Sequence, residues 1–178
     1  MNQIMRRAIR RLATAIFVAG LMFVGLSEGR AQAKTEASAK QFAGTWILVS
    51  LDDERPDGTK IPLYGPNPDG MLMFDTKGRY SIQVCAASRP KFSANDRRKG
   101  TPEEYQAAVV GCNPHWGTYS INQVDKTIVL KIEHALYTNW EGTEQKRSFT
   151  LTGDELKYNV PNPPTAAANI VAVWKRAQ

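Results

Sequence analysis

Residues 145–160 read Gln-Lys-Arg-Ser-Phe-Thr-Leu-Thr-Gly-Asp-Glu-Leu-Lys-Tyr-Asn-Val, and this stretch decides the fold. Phe149 and Leu151 alternate with Ser148, Thr150 and Thr152. After Gly153-Asp154, Leu156, Tyr158 and Val160 alternate with Lys157 and Asn159. A period of two is the signature of a strand with one apolar and one wetter face. A Gly-Asp pair between two such runs is a turn. The same alternation holds Tyr80, Ile82 and Val84 against Ser81, Gln83 and Cys85.

Working outward, Asp57-Gly58, Asp69-Gly70, Lys77-Gly78 and Pro161–Pro164 punctuate the chain as further turns. Eight strands are expected, near 45–51, 70–75, 79–85, 115–121, 127–136, 145–152, 155–160 and 169–176. One helix interrupts them. Thr101-Pro102-Glu103-Glu104 is a capping box, with Thr101 as N-cap, Pro102 at N1 and Glu104 at N3. Both carboxylates sit at the positive end of the helix dipole. The helix should run through Val110 and stop at Gly111. Eight short antiparallel strands with tight turns fit a closed up-and-down barrel or a sandwich. Closure removes the exposed sheet edges. An eight-stranded barrel has an interior that side chains fill or that holds one small ligand.

The first thirty-three residues read as an address. Residues 1–11 are basic, Leu12–Leu26 is an apolar run, and the polar stretch after it ends Ala31-Gln32-Ala33. That order is a secretory signal peptide, and the run is short for a bilayer span, which needs about 20 apolar residues. Domain boundaries are therefore expected at 1–33 for the signal, 34–43 for a mobile leader and 44–178 for the barrel. The protein should be exported, periplasmic or secreted, and meet the membrane only through its signal. Its formal charge of +6 is misleading as a nucleic-acid signature. Arg6, Arg7, Arg10, Arg11 and Arg30 against Glu28 supply most of it, and nucleic acid is not an expected partner. Cys85 and Cys112 are the only cysteines. In an oxidising compartment they suggest a disulfide, the alternative being two small buried thiols. At 178 residues with 42% hydrophobic and 22% charged side chains, the chain is neither disordered nor a multi-span membrane protein. A monomer is expected.

Gly44-Thr45-Trp46 at the first strand resembles the G-x-W signature of lipocalins. The likeness extends to Tyr64-Gly65, Gly70-Met71-Leu72, Arg89-Pro90-Lys91-Phe92, Gly100–Tyr105, Gly117-Thr118-Tyr119-Ser120, Ile132-Glu133, Asn139-Trp140 and Trp174-Lys175-Arg176. As a set these resemble the bacterial lipocalin-like domain family. The resemblance implies an all-β, eight-stranded antiparallel up-and-down barrel with one short helix. It also implies that Arg176 stacks on Trp46, a cation–π contact worth about 0.5–2 kcal/mol. The chain departs from the family pattern in its export signal, its cysteines, Lys131 and Thr138.

Tyr80, Trp116, Tyr119, Trp140 and Arg147 are the candidate pocket residues. Aromatics give apolar walls with a polar tip, and one arginine can orient an anionic head group. The plainer reading is ordinary barrel core with an exposed arginine. Glu133 is a further candidate. The resemblance implies that it faces the lumen, while its alternation with Ile128, Leu130 and Ile132 favours solvent. His134 falls on that apolar face. His115 opens a strand and reads as a rim residue. No cofactor is implied, and two histidines without organised carboxylates make a metal site unsupported. The basic stretch Arg79, Arg89, Lys91, Arg97, Arg98 and Lys99 is a solvated loop or a guard at the barrel mouth. No nucleophile or phosphate-loop motif is present. The expected function is to bind a small apolar or amphipathic molecule in the lumen. The alternatives are a cofactor-free isomerase or cyclase using Glu133, Tyr119 and Arg147, and a structural envelope protein.

Overall fold

The structure is a computed structural model that describes residues 40–161, 163 and 169–178. The signal at 1–33 and the leader through residue 39 lie outside the described residues.

Among the described residues, nine strands form one antiparallel sheet. They are β1 (Gly44–Glu54), β2 (Lys60–Pro62), β3 (Asp69–Phe74), β4 (Arg79–Cys85), β5 (His115–Asn122), β6 (Thr127–Ala135), β7 (Glu144–Thr152), β8 (Glu155–Val160) and β9 (Ile170–Arg176). Each strand from β3 onward pairs with the next, β1 pairs with β3, and β1 also pairs with β9. Eight strands thus close into a barrel. β2 stands outside the ring, laid on the end of β1. All three of its residues are exposed, so no alternation marked it in the sequence.

The helix α1 (Pro102–Val110) starts as the capping box requires. Thr101 Oγ1 accepts from the Glu104 N–H at 3.3 Å, and Glu104 Oε2 accepts from the Thr101 N–H at 3.0 Å. None of its residues is buried. The capping, rather than packing, fixes its start.

The topology separates two ends. The short turns at 75–78, 123–126 and 153–154 gather at one end. The long connections at 55–68, 86–114 and 136–143 gather at the other, where β8 also ends and β9 begins. The Cys85–Cys112 disulfide ties off the 86–111 excursion, which carries α1 and most of the basic stretch. Within that excursion Asp96 accepts from Arg98, as a turn rather than a site.

The short-turn end is plugged. Trp46 is wholly buried, and its Nε1–H donates to the Phe42 carbonyl at 2.9 Å. Arg176 lies over the indole at 4.1 Å from its centroid and donates to the carbonyls of Ala43 and Gln41, both at 2.8 Å. Gly44 adopts φ 124°, and an added Cβ would stand 3.2 Å from Arg176 Nη1. The glycine of the G-x-W element therefore meets both a backbone and a space requirement. Phe42 packs edge-on against Phe74 and Phe149. Residues 41–43, assigned to the leader from sequence, are part of this plug. Their polar composition concealed one buried phenylalanine and three carbonyl acceptors.

A bulge shifts β6 against β5 between Trp116 and Gly117. Ile128, Leu130 and Ile132 point in, Glu133 and His134 both point out, and Ala135 points in again. A Cβ on Gly117 would come within 2.0 Å of the Lys131 carbonyl oxygen, so only glycine allows this approach. His134, expected on the apolar face, is turned outward by the extra residue.

Candidate ligand-binding site

Above the plug, at the long-connection end, the barrel contains a cavity of about 150 Å³. Ile82 and Val84 of β4, Val160 of β8 and Ile170 of β9 give it apolar walls. Trp140, Tyr158, Trp174 and Tyr64 add aromatic surface. Trp140 arrives from the 3-10 turn Thr138–Trp140 between β6 and β7. Leu63 and Val110 reach in from two of the long connections, and Pro163 from between β8 and β9.

Three polar side chains enter this setting: Arg147, His115 and Asn113. Arg147 is inward because it shares parity with Phe149 on β7, and it is 2% exposed. Its Nη2 donates to Gln145 Oε1 at 2.8 Å, and its guanidinium carbon lies 4.9 Å from the Tyr158 ring centroid. Among the described residues no ion pair neutralises it, and its Nε has no hydrogen-bond partner. The 161–168 connection, Pro-Asn-Pro-Pro-Thr-Ala-Ala-Ala, contains no carboxylate. A buried cation of this kind is costly unless something compensates it.

His115 is also 2% exposed and stacks edge-on with Trp140. Burial, helped by the nearby Arg147 charge, holds its pKa well below the ordinary imidazole value. Its Nδ1 lies 2.9 Å from Tyr80 Oη. Burial pushes the Tyr80 phenol up, so it stays protonated. With Nδ1 as its one hydrogen-bond neighbour among the described residues, the phenol donates to it. The imidazole proton is then on Nε2, which makes that atom a donor. Tyr158 is fully buried, which raises its pKa against the pull of Arg147.

Three buried side-chain polar atoms have no hydrogen-bond partner of good geometry among the described residues: Arg147 Nε, Asn113 Oδ1 and Trp174 Nε1, although Trp174 and Arg147 both approach the Tyr158 hydroxyl. All three belong to residues that line this one cavity. Unpaired buried polar atoms are rare in folded proteins. Their concentration here marks the cavity as the place where the barrel's own interactions are incomplete.

The sequence candidates divide accordingly. Trp140 and Arg147 line the cavity. Tyr80 does not, but it hydrogen-bonds the lining residue His115. Tyr119 is buried at the plugged end, where its hydroxyl donates to the Asp75 carbonyl at 2.6 Å and its ring packs on Phe74. It lies four residues along β5 from His115, about 13 Å of strand. Trp116 is 44% exposed and stacks on His134 outside the barrel, because it alternates with the inward His115 and Gly117. Glu133 is outside as well, at the bulge, paired with Arg79 at 2.7 Å. The expectation of a lumenal Glu133 is corrected by that parity. Tyr158 and Asn113 were not singled out in the sequence, and His115, read there as a rim residue, lines the cavity. Strand parity counted from Tyr119 places His115 inward, and this signal was available. Among the described residues no group of three or more His, Cys, Asp or Glu is arranged to hold a metal.

The geometry can be set beside known proteins. No curated protein matches the chain. Solved structures that align with it include two of point mutants of the fluorescent protein UnaG, each at 12% identity and over 78% of this chain. They are covered over 98% and 97% of their own lengths, with TM-scores of 0.36 and 0.34. The profile of the lipocalin-like domain family matches residues 43–177, from the plug to the end of β9. The chain belongs to the lipocalin-like domain family.

Proposed function

We propose that the protein is an exported carrier that holds a small amphipathic molecule in its barrel, apolar part among the aromatic and aliphatic walls and polar end toward Arg147. The observation that carries this reading is the coincidence of all three unpaired buried polar atoms with the lining of one cavity. A structural barrel gains nothing from a buried, uncompensated guanidinium beside an open space, whereas a binding protein uses both. Export is supported by the order of basic, apolar and small residues in 1–33 and by the Cys85–Cys112 disulfide. The isomerase or cyclase alternative is less well supported. Two of its three residues, Glu133 and Tyr119, are away from the cavity.

Native mass spectrometry of the protein purified from its own host tests the proposal. The expected result is a reproducible bound mass that disappears on denaturation. Folded protein that is uniformly empty would overturn the carrier reading.

A further inference from the structure

We propose that the ligand is a single-ring aromatic monocarboxylate, bound as the anion with its carboxylate on the Arg147 guanidinium. This rests on the carrier reading and names the chemistry that the same cavity would select.

Size comes first. The cavity measures about 150 Å³, and an apolar cavity of about 150 Å³ accommodates one benzene-sized molecule. Drug-sized ligands occupy pockets of roughly 300–1,000 Å³. A long acyl chain therefore exceeds this space and would have to extend out of its open side.

Wall chemistry comes second. Trp140, Tyr158, Trp174, Tyr64 and the His115 ring surround the space. The Trp140–His115 contact is already edge-to-face, with interplanar angle 86° and centroids 5.5 Å apart. A third ring fits such a setting through the same offset and edge-on contacts.

Charge comes third. Arg147 is the sole lysine or arginine among the lining residues. One buried cation without a counter-ion among the described residues matches one ligand negative charge, and a dicarboxylate would bury a second charge without a partner. Guanidinium and carboxylate pair through charge-assisted hydrogen bonds. The neutral His115 adds an Nε2 donor and no second positive charge.

The test is calorimetric titration of the protein, dialysed free of co-purifying molecules, near pH 7.5. The probes are benzoate, 3-phenylpropanoate, their uncharged counterparts benzyl alcohol and 3-phenylpropanamide, and tetradecanoate. The expected result is that at least one aromatic acid binds about tenfold or more tightly than its uncharged counterpart. Tetradecanoate should bind no more tightly than that acid. Arg147→Met should remove the preference for the acid over its uncharged counterpart. The wild-type comparison of acid with uncharged counterpart stands without the variant, should that variant fail to fold. Equal affinity for acid and uncharged counterpart, or tighter binding of tetradecanoate, overturns the proposal. If the uncharged compounds bind and the acids do not, the monocarboxylate is wrong and the carrier reading survives. If none of the five binds, the monocarboxylate is again overturned, and native mass spectrometry decides the carrier reading on its own.

Discussion

The barrel contains two arginines laid over aromatic rings, one at each end, and their surroundings differ. Arg176 covers Trp46 at 4.1 Å, donates to two backbone carbonyls and reaches Asp154 at 3.3 Å. It is partly exposed, so water compensates what the protein does not. Arg147 covers Tyr158 at 4.9 Å, is almost wholly buried, and among the described residues finds only neutral side-chain partners, Gln145 and the Tyr158 hydroxyl. The same cation–π contact thus closes one end of the barrel and leaves the other end unfinished. Completeness of hydrogen bonding, rather than the type of contact, separates the structural arginine from the candidate binding arginine.

Three substitutions test that contrast. Trp46→Ala removes a fully buried ring from the plugged end and should cost about 3–5 kcal/mol, read as a lower midpoint in urea unfolding. A loss below about 1 kcal/mol would mean that the plug is not the stability centre. Next, Arg176→Met and Arg147→Met should diverge. The first loses its carbonyl bonds and ring contact, about 1–3 kcal/mol. The second removes a buried, uncompensated charge and should change stability by under about 1 kcal/mol, or raise it. Equal losses at both sites would erase the contrast.

A further effect concerns pH. The His115 pKa is depressed in the fold, so the neutral ring's contribution is fully present above the unfolded value. As pH falls below about 6.5 the unfolded chain takes up a proton that the folded chain refuses. Stability should then fall by at most about 1.4 kcal/mol per pH unit. His115→Gln should flatten this slope between about pH 6.5 and 5. A slope unchanged by the substitution would show that another group sets it.

Much of this architecture could be read from single residues, because each strand's period and each cap is local. The alternation around Tyr80–Val84 and Phe149–Val160 and the capping box at Thr101 depend on near neighbours, whereas the Trp46–Arg176 pair was expected only from the family resemblance. The site was legible only in part. Parity alone separates Arg147 and His115 from Trp116, and it argues against Glu133. The bulge that turns His134 outward is not local, since it arises where Gly117 meets the Lys131 carbonyl across two strands. Phe42 was missed for the same reason: its partners Phe74 and Phe149 are far along the chain. Asn113 owes its place at the cavity to the path of a long excursion rather than to any strand period.

The pairing of β1 with β9 also sets an order of events during synthesis. The Arg176–Ala43 contact joins residues 133 positions apart, so the plug cannot be fastened until nearly all of the barrel sequence is present. Hairpins such as β7–β8 can form early, but β1 must wait unpaired on one edge for the final strand. Contacts of this sequence separation close slowly. A chain cut short before β9 would lose more than a strand. It would leave a sheet with two open edges, a Trp46 without its cover, and no enclosed volume at all.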